Sequence, residues 1–189
     1  MIKNIIYQIS QDDKTQKEIN ALLDKYAKET LKHLYRCKTA RLELLEYLGG
    51  SWDAAQAPNG QALTPDQESL RQATLTTRDT ERQAFDLWQD KKASDSDKPK
   101  HLGELMAQHQ SALRNGLGLS TARLDEMGRM AIESGAWGFK LVGSGGGGCG
   151  VAWTSLERSG AVVDALRAAG ATQVFVMNQG ARGAHIRRS

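Results

Sequence analysis

The chain has 189 residues and a net charge of +3, from 25 Lys and Arg against 22 Asp and Glu. That length suffices for a sizeable core, and the charge is too small to point to nucleic acid, since no basic cluster is interleaved with aromatics. Two cysteines far apart, Cys37 and Cys149, no apolar run of membrane-spanning length and no signal peptide at Met1 lead to the expectation of a reduced, cytoplasmic protein without a membrane partner.

The elements follow in chain order. A short strand is expected at Ile5–Ile9, then one long helix or two consecutive ones from Asp12 to Leu48, stopped by Gly49-Gly50. Ile19, Leu22, Leu23, Tyr26, Leu31, Leu34 and Tyr35 make its buried stripe. His33 and Cys37 lie four apart on it, but no further ligand stands nearby, which argues against a metal. A polar loop covers Ser51 to Thr64, with Pro58-Asn59-Gly60 as its turn. A second helix is expected from Pro65 to Lys92, with Thr64 as cap, Pro65 in the first turn and Glu68 placed to help. Ala93–Pro99 reads as a loop rather than a domain boundary. Lys100 to Asn115 reads as a helix carrying His101 and His109, and a histidine on such a face is more often a core group than a ligand. Gly116-Leu117-Gly118 ends it. Ser120 or Thr121 then caps a helix reaching Ser134.

The most unusual stretch is Gly138 to Trp153. Five of the six residues from Gly143 to Gly148 are glycine, between two apolar runs. Glycine is needed where φ must be positive or where another group approaches the backbone closely. That group is often a phosphate, held by several N–H donors. Gly143, Gly145 and Gly148 fit the G-x-G-x-x-G spacing, but a dinucleotide turn opens directly into a helix. Here Val151 to Thr154 reads as strand, so the expected connection is strand-loop-strand. No Gly-Lys-Ser/Thr triplet ends the loop, which excludes a Walker A reading. The remaining alternative is a wide glycine hairpin without a ligand. A helix from Leu156 to Ala169, ended by Gly170, and strands at Val174–Val176 and Gly183–Ile186 complete the chain.

Gly135-Ala136-Trp137-Gly138-Phe139-Lys140-Leu141-Val142-Gly143-Ser144-Gly145-Gly146-Gly147-Gly148-Cys149 resembles the third, C-terminal motif of the GHMP kinases. It matches Gly-Ala-x-Gly-x-Lys-x-x-Gly-x-Gly-x-Gly-Gly-x at every fixed position. Leu102-Gly103-Glu104-Leu105-Met106, His109, Leu113, Leu117-Gly118-Leu119-Ser120 and Leu124-Asp125 are similar to the galactokinase and mevalonate kinase branch. The likeness covers Leu102 to Val176 and is weak before Lys100. Asn115 to Ala122 superficially resembles the family's N-terminal phosphate loop, yet its place just before the third motif fits an ordinary turn better.

Pattern and resemblance together imply an α+β fold: a ferredoxin-like, largely antiparallel sheet with helices on one face, plus long N-terminal helices. The chain is expected to be one domain, 1–189, helical over 1–100 and motif-bearing over 101–189. The resemblance implies ATP and Mg²⁺ as cofactors, and Gly143, Ser144, Gly145, Gly146, Gly147, Gly148 and Lys140 as residues toward nucleotide, phosphate or substrate. Lys140 reads equally well as a strand lysine anchored to a carboxylate, and Asp125 as a helix-terminus partner. The family's principal phosphate loop, magnesium-binding acid and catalytic aspartate belong to its N-terminal half and cannot be placed here, so no catalytic residue or metal ligand is assigned. The expectation is a small-molecule kinase domain of sugar or mevalonate type, incomplete without an N-terminal half. A non-catalytic metabolite-binding or regulatory module of kinase descent is the alternative. The partners expected are a small-molecule substrate and either the missing half or a second copy of the chain.

Overall fold

A computed structural model describes residues 37–90, 94, 96–143 and 145–177. The expected elements at Ile5–Ile9 and Gly183–Ile186, the helix before residue 37 and the site residue Ser144 lie outside them. The chain falls into two compact units, one ending at Gln72 and one starting at Ala73.

In the first unit, helix α1 covers residues 37–47. It ends where Gly49 and Gly50 turn left-handed, and the Gly50 N–H donates to the Leu45 carbonyl at 2.9 Å. The Pro58-Asn59-Gly60 turn forms as read. Gly60 N–H donates to Ala57 O, and Gln61 N–H donates to Asn59 Oδ1. Helix α2, Pro65–Gln89, starts with a reciprocal cap. Thr64 Oγ1 accepts the Gln67 N–H at 3.3 Å, and Gln67 Oε1 accepts the Thr64 N–H at 2.9 Å. The partner is Gln67, not Glu68, because the third helical position is the one that reaches back. Glu68 pairs instead with Arg71, which holds its carboxyl below the usual range and also donates to Trp52 O. Thr64→Ala removes one half of this cap and should cost about 1 kcal/mol, read as a lower midpoint in urea unfolding.

The second unit contains the rest of α2, then α3 (Lys98–Ser111), a π-helical turn (Ala112–Gly116), α4 (Ala122–Glu133), β1 (Gly138–Val142), β2 (Cys149–Trp153) and α5 (Leu156–Ala168). The fold is α+β. Among the described residues its sheet is the antiparallel pair β1–β2, in register from Gly138↔Trp153 to Val142↔Cys149. Phe139 and Leu141 alternate into a core with Leu124 and Ala131 of α4 and Val162 of α5. Burying such side chains supplies most of the driving force. On the other side of the alternation, Gly138 meets Gly103 and Met106 of α3. Trp137 stacks at a tilt on Trp153, whose indole N–H donates to Pro99 O at 3.0 Å.

Two boundaries differ from the sequence reading. Helix α3 begins at Lys98, inside the expected loop, because Pro99 suits a first turn. Val174–Val176 is not a strand. Phe175 is 78% exposed and Val176 59%, so β-branched and aromatic composition alone did not recruit a pairing partner among the described residues. No helix among the described residues is long and apolar enough to cross a membrane.

Candidate functional site

The glycine stretch is the loop of the β1–β2 hairpin, closed by the Val142↔Cys149 pair. Strand follows strand, which rules out the dinucleotide and Walker A geometries. Gly143, Gly145, Gly146, Gly147 and Gly148 all have positive φ, between 74° and 125°. A side-chain-bearing residue pays about 1–2 kcal/mol for each such position. That accounts for glycine at each of these five positions, and a two-residue hairpin would have needed only one or two.

The loop has an anchored part and an open part. Gly146 N–H donates to Leu119 O at 2.8 Å. A Cβ on Gly145 would stand 2.7 Å from both Leu119 Cβ and Leu119 O, so backbone packs directly on this turn. At Gly143, Gly147 and Gly148, by contrast, nothing lies within 4 Å of where a Cβ would be. Such a run of left-handed residues beside open space is the type of backbone that accommodates an anionic group. These residues therefore fit a phosphate. Mg²⁺ is different: among the described residues no group of three His, Cys, Asp or Glu could hold a metal.

The seat of the loop is the turn Leu117–Thr121. Leu117 N–H bonds Ala112 O and Leu119 N–H bonds Leu113 O, so the π-helical turn delivers the chain directly into it. Thr121 caps α4 by accepting the Leu124 N–H, and Ser120 Oγ donates to Asp125 Oδ1 at 2.7 Å. The N-terminus of α4 already has a capping oxygen and a carboxylate, so a second anion there would be repelled. This favours the ordinary-turn reading of Asn115–Ala122, and it places Asp125 at the helix terminus.

Lys140 is half-buried on β1 and makes no ion pair with a described carboxylate. Its charge acts on His109. That imidazole sits beside Thr80, with Nδ1 3.0 Å from Thr80 Oγ1. The single Thr80 hydroxyl hydrogen goes to Thr76 O at 2.7 Å, so Nδ1 is the donor toward Thr80. Burial, then the charge of Lys140, lower the His109 pKa below its ordinary 6.5, while Glu81 opposes them. A depressed histidine stabilises the fold fully above pH 6.5, and that contribution is lost as pH falls through the folded value. Urea unfolding from pH 8 to pH 5 should show wild type losing stability relative to His109→Gln. A glutamine can still donate to Thr80 but has no proton to gain.

The sequence reading did not single out Gln110 or Thr80, and it named Leu119 only within a family-like run, not as the seat of the loop. Each acts through a contact across many residues, and none has a local signature. Both cysteines are free, Cys149 being exposed at the base of the hairpin. The described cavity of about 380 Å³, lined by Ala40, Glu43, Leu44, Tyr47, Asp66, Gln67 and Leu70, belongs to the first unit and includes no residue of the glycine loop.

Residues 92–172 match the family described as GHMP kinases C terminal. No curated protein matches the chain. The matched segment spans α3, the turn, α4, the glycine hairpin and α5, so this part of the chain is similar to the C-terminal region of the GHMP kinases.

Proposed function

We propose that this chain serves as the C-terminal domain of an ATP-dependent small-molecule kinase that transfers the γ-phosphate to a substrate hydroxyl. The glycine loop Gly143–Gly148, with Ser144 as a side-chain donor and Lys140 leading in, lies toward the phosphates of nucleotide or substrate. The observation that carries this reading is the loop itself, with five left-handed glycines, an anchored middle and open ends. Phosphoryl transfer is mainly positioning and charge neutralisation, and a backbone cradle supplies part of the first. The Mg²⁺ site and the group that orients the attacking hydroxyl come from the N-terminal half typical of the family, as a separate polypeptide or an adjoining domain. The substrate class is a sugar or a mevalonate-like alcohol, and the setting is cytoplasmic.

Calorimetry of the full chain with ATP, with and without Mg²⁺, tests the reading. Binding with the ATP phosphates on the loop is expected, and it should weaken when Gly145 is replaced. A coupled assay with galactose and mevalonate should show no turnover by this chain alone. Robust turnover would refute the division of labour. Metabolite binding with no nucleotide binding would replace the kinase reading by that of a non-catalytic module.

A further inference from the structure

Gln110 joins three elements through one side-chain amide. It lies near the end of α3, just before the π-helical turn. Its Oε1 accepts the backbone N–H of Leu141 on β1 at 2.8 Å. Its Nε2 donates to Ser120 Oγ at 3.0 Å, and Ser120 donates in turn to Asp125 Oδ1 at 2.7 Å. Every direction in this relay is determined. Leu141 N–H can only donate, so the oxygen of the amide must face it. The nitrogen then faces Ser120, whose one hydrogen is left for a carboxylate that can only accept. Because Leu141 N–H points at Gln110, it is not a rung of the β1–β2 ladder, and the side chain satisfies an edge donor that would otherwise be lost.

The residue next to Ser120 is Leu119, which carries the glycine loop. Its carbonyl takes the Gly146 N–H, and its backbone packs on Gly145. The loop is therefore held at two places. The hairpin strands hold its ends, and the Leu117–Thr121 turn holds its middle. Gln110 touches both supports, since Leu141 precedes the loop on β1 and Ser120 belongs to the turn.

We propose that Gln110 is a positioning residue that locks the turn to β1 and so sets the conformation in which the glycine loop meets a phosphate. The part concerning phosphate rests on the function proposed above. Without the amide, strand and turn remain packed but lose their shared polar tie, and the loop between them gains motion. The effect is local, because Leu124, Ala131 and Val162 bury their side chains independently of this relay.

The test is residue-resolved amide exchange on the full chain, with ATP binding measured in parallel. Gln110→Met keeps the length of the side chain and removes both bonds. It should accelerate exchange at Leu141 and Gly146 about tenfold, leave Ala131 and Val162 protected, and weaken ATP binding by a similar factor. Gln110→Glu retains the acceptor and should restore protection at Leu141. Should Gln110→Met fail to fold, Ser120→Ala cuts only the second link and should accelerate Gly146 but not Leu141. Unchanged exchange at Gly146 in these variants overturns the positioning role, whatever happens to ATP. Faster exchange at Gly146 with unchanged ATP affinity leaves the positioning role standing and overturns the phosphate reading of the loop.

Discussion

Gly103→Ala is expected to lower the unfolding free energy by about 3 kcal/mol, the upper part of the range for forcing a methyl into a packed interior. The new Cβ would stand 2.5 Å from the Trp137 carbonyl carbon and 2.7 Å from Trp137 Cβ. The first of these is main chain, which no rotamer change can move aside. Across the contact stands a second glycine, since a Cβ on Gly138 would be 2.8 Å from Gly103 Cα. Helix α3 and strand β1 thus approach backbone to backbone, and any side chain at either position separates them. Gly160→Ala is the control of opposite sign. It lies exposed within α5 with nothing within 4 Å, and should raise stability by about 0.5–1 kcal/mol through helix propensity alone. Urea denaturation of both variants gives the comparison. A loss below about 1 kcal/mol at Gly103 would mean that α3 and β1 yield more easily than this packing implies.

The second large effect concerns binding. Gly145→Ala should weaken ATP binding at least about tenfold more than Gly143→Ala does. Both residues have positive φ, 82° and 90°, so both substitutions carry a torsional cost of about 1–2 kcal/mol. Only Gly145 adds a collision, with Leu119. The difference between the two variants isolates the seat of the loop from its torsion. Titration calorimetry reads it directly, and thermal unfolding measured in parallel should register the torsional cost in both variants and the added collision in Gly145→Ala. Equal affinities in the two variants would show that the Leu119 contact does not govern how the loop receives its ligand.

What could be read from the sequence was local. Thr64 and Thr121 announced their helices because a cap acts over three residues. Pro58-Asn59-Gly60 announced its turn for the same reason. Val151 to Trp153 after the glycines separated a hairpin from a nucleotide-binding turn. What escaped was distant. Gln110 reaches Leu141 across 31 positions and Thr80 reaches His109 across 29. Neither distance leaves a periodic trace. The strand expected at Val174–Val176 failed for a related reason: strand propensity describes fitness for a pleated surface, and a surface must be there to accept it. The influence of the Lys140 charge on the His109 imidazole is likewise a long-range effect with no trace in the sequence.

The π-helical turn Ala112–Gly116 has no buried residue, yet it ends in the segment that carries Leu119. Apart from Leu113, which packs against the core, its side chains can vary while their number cannot. Omitting one residue there would rotate the following chain by about a quarter-turn or more, roughly 100° for a helical residue. Ser120 would swing away from Gln110, and the glycine hairpin would lose its footing. In this stretch, insertions and deletions carry a constraint that substitutions outside Leu113 do not.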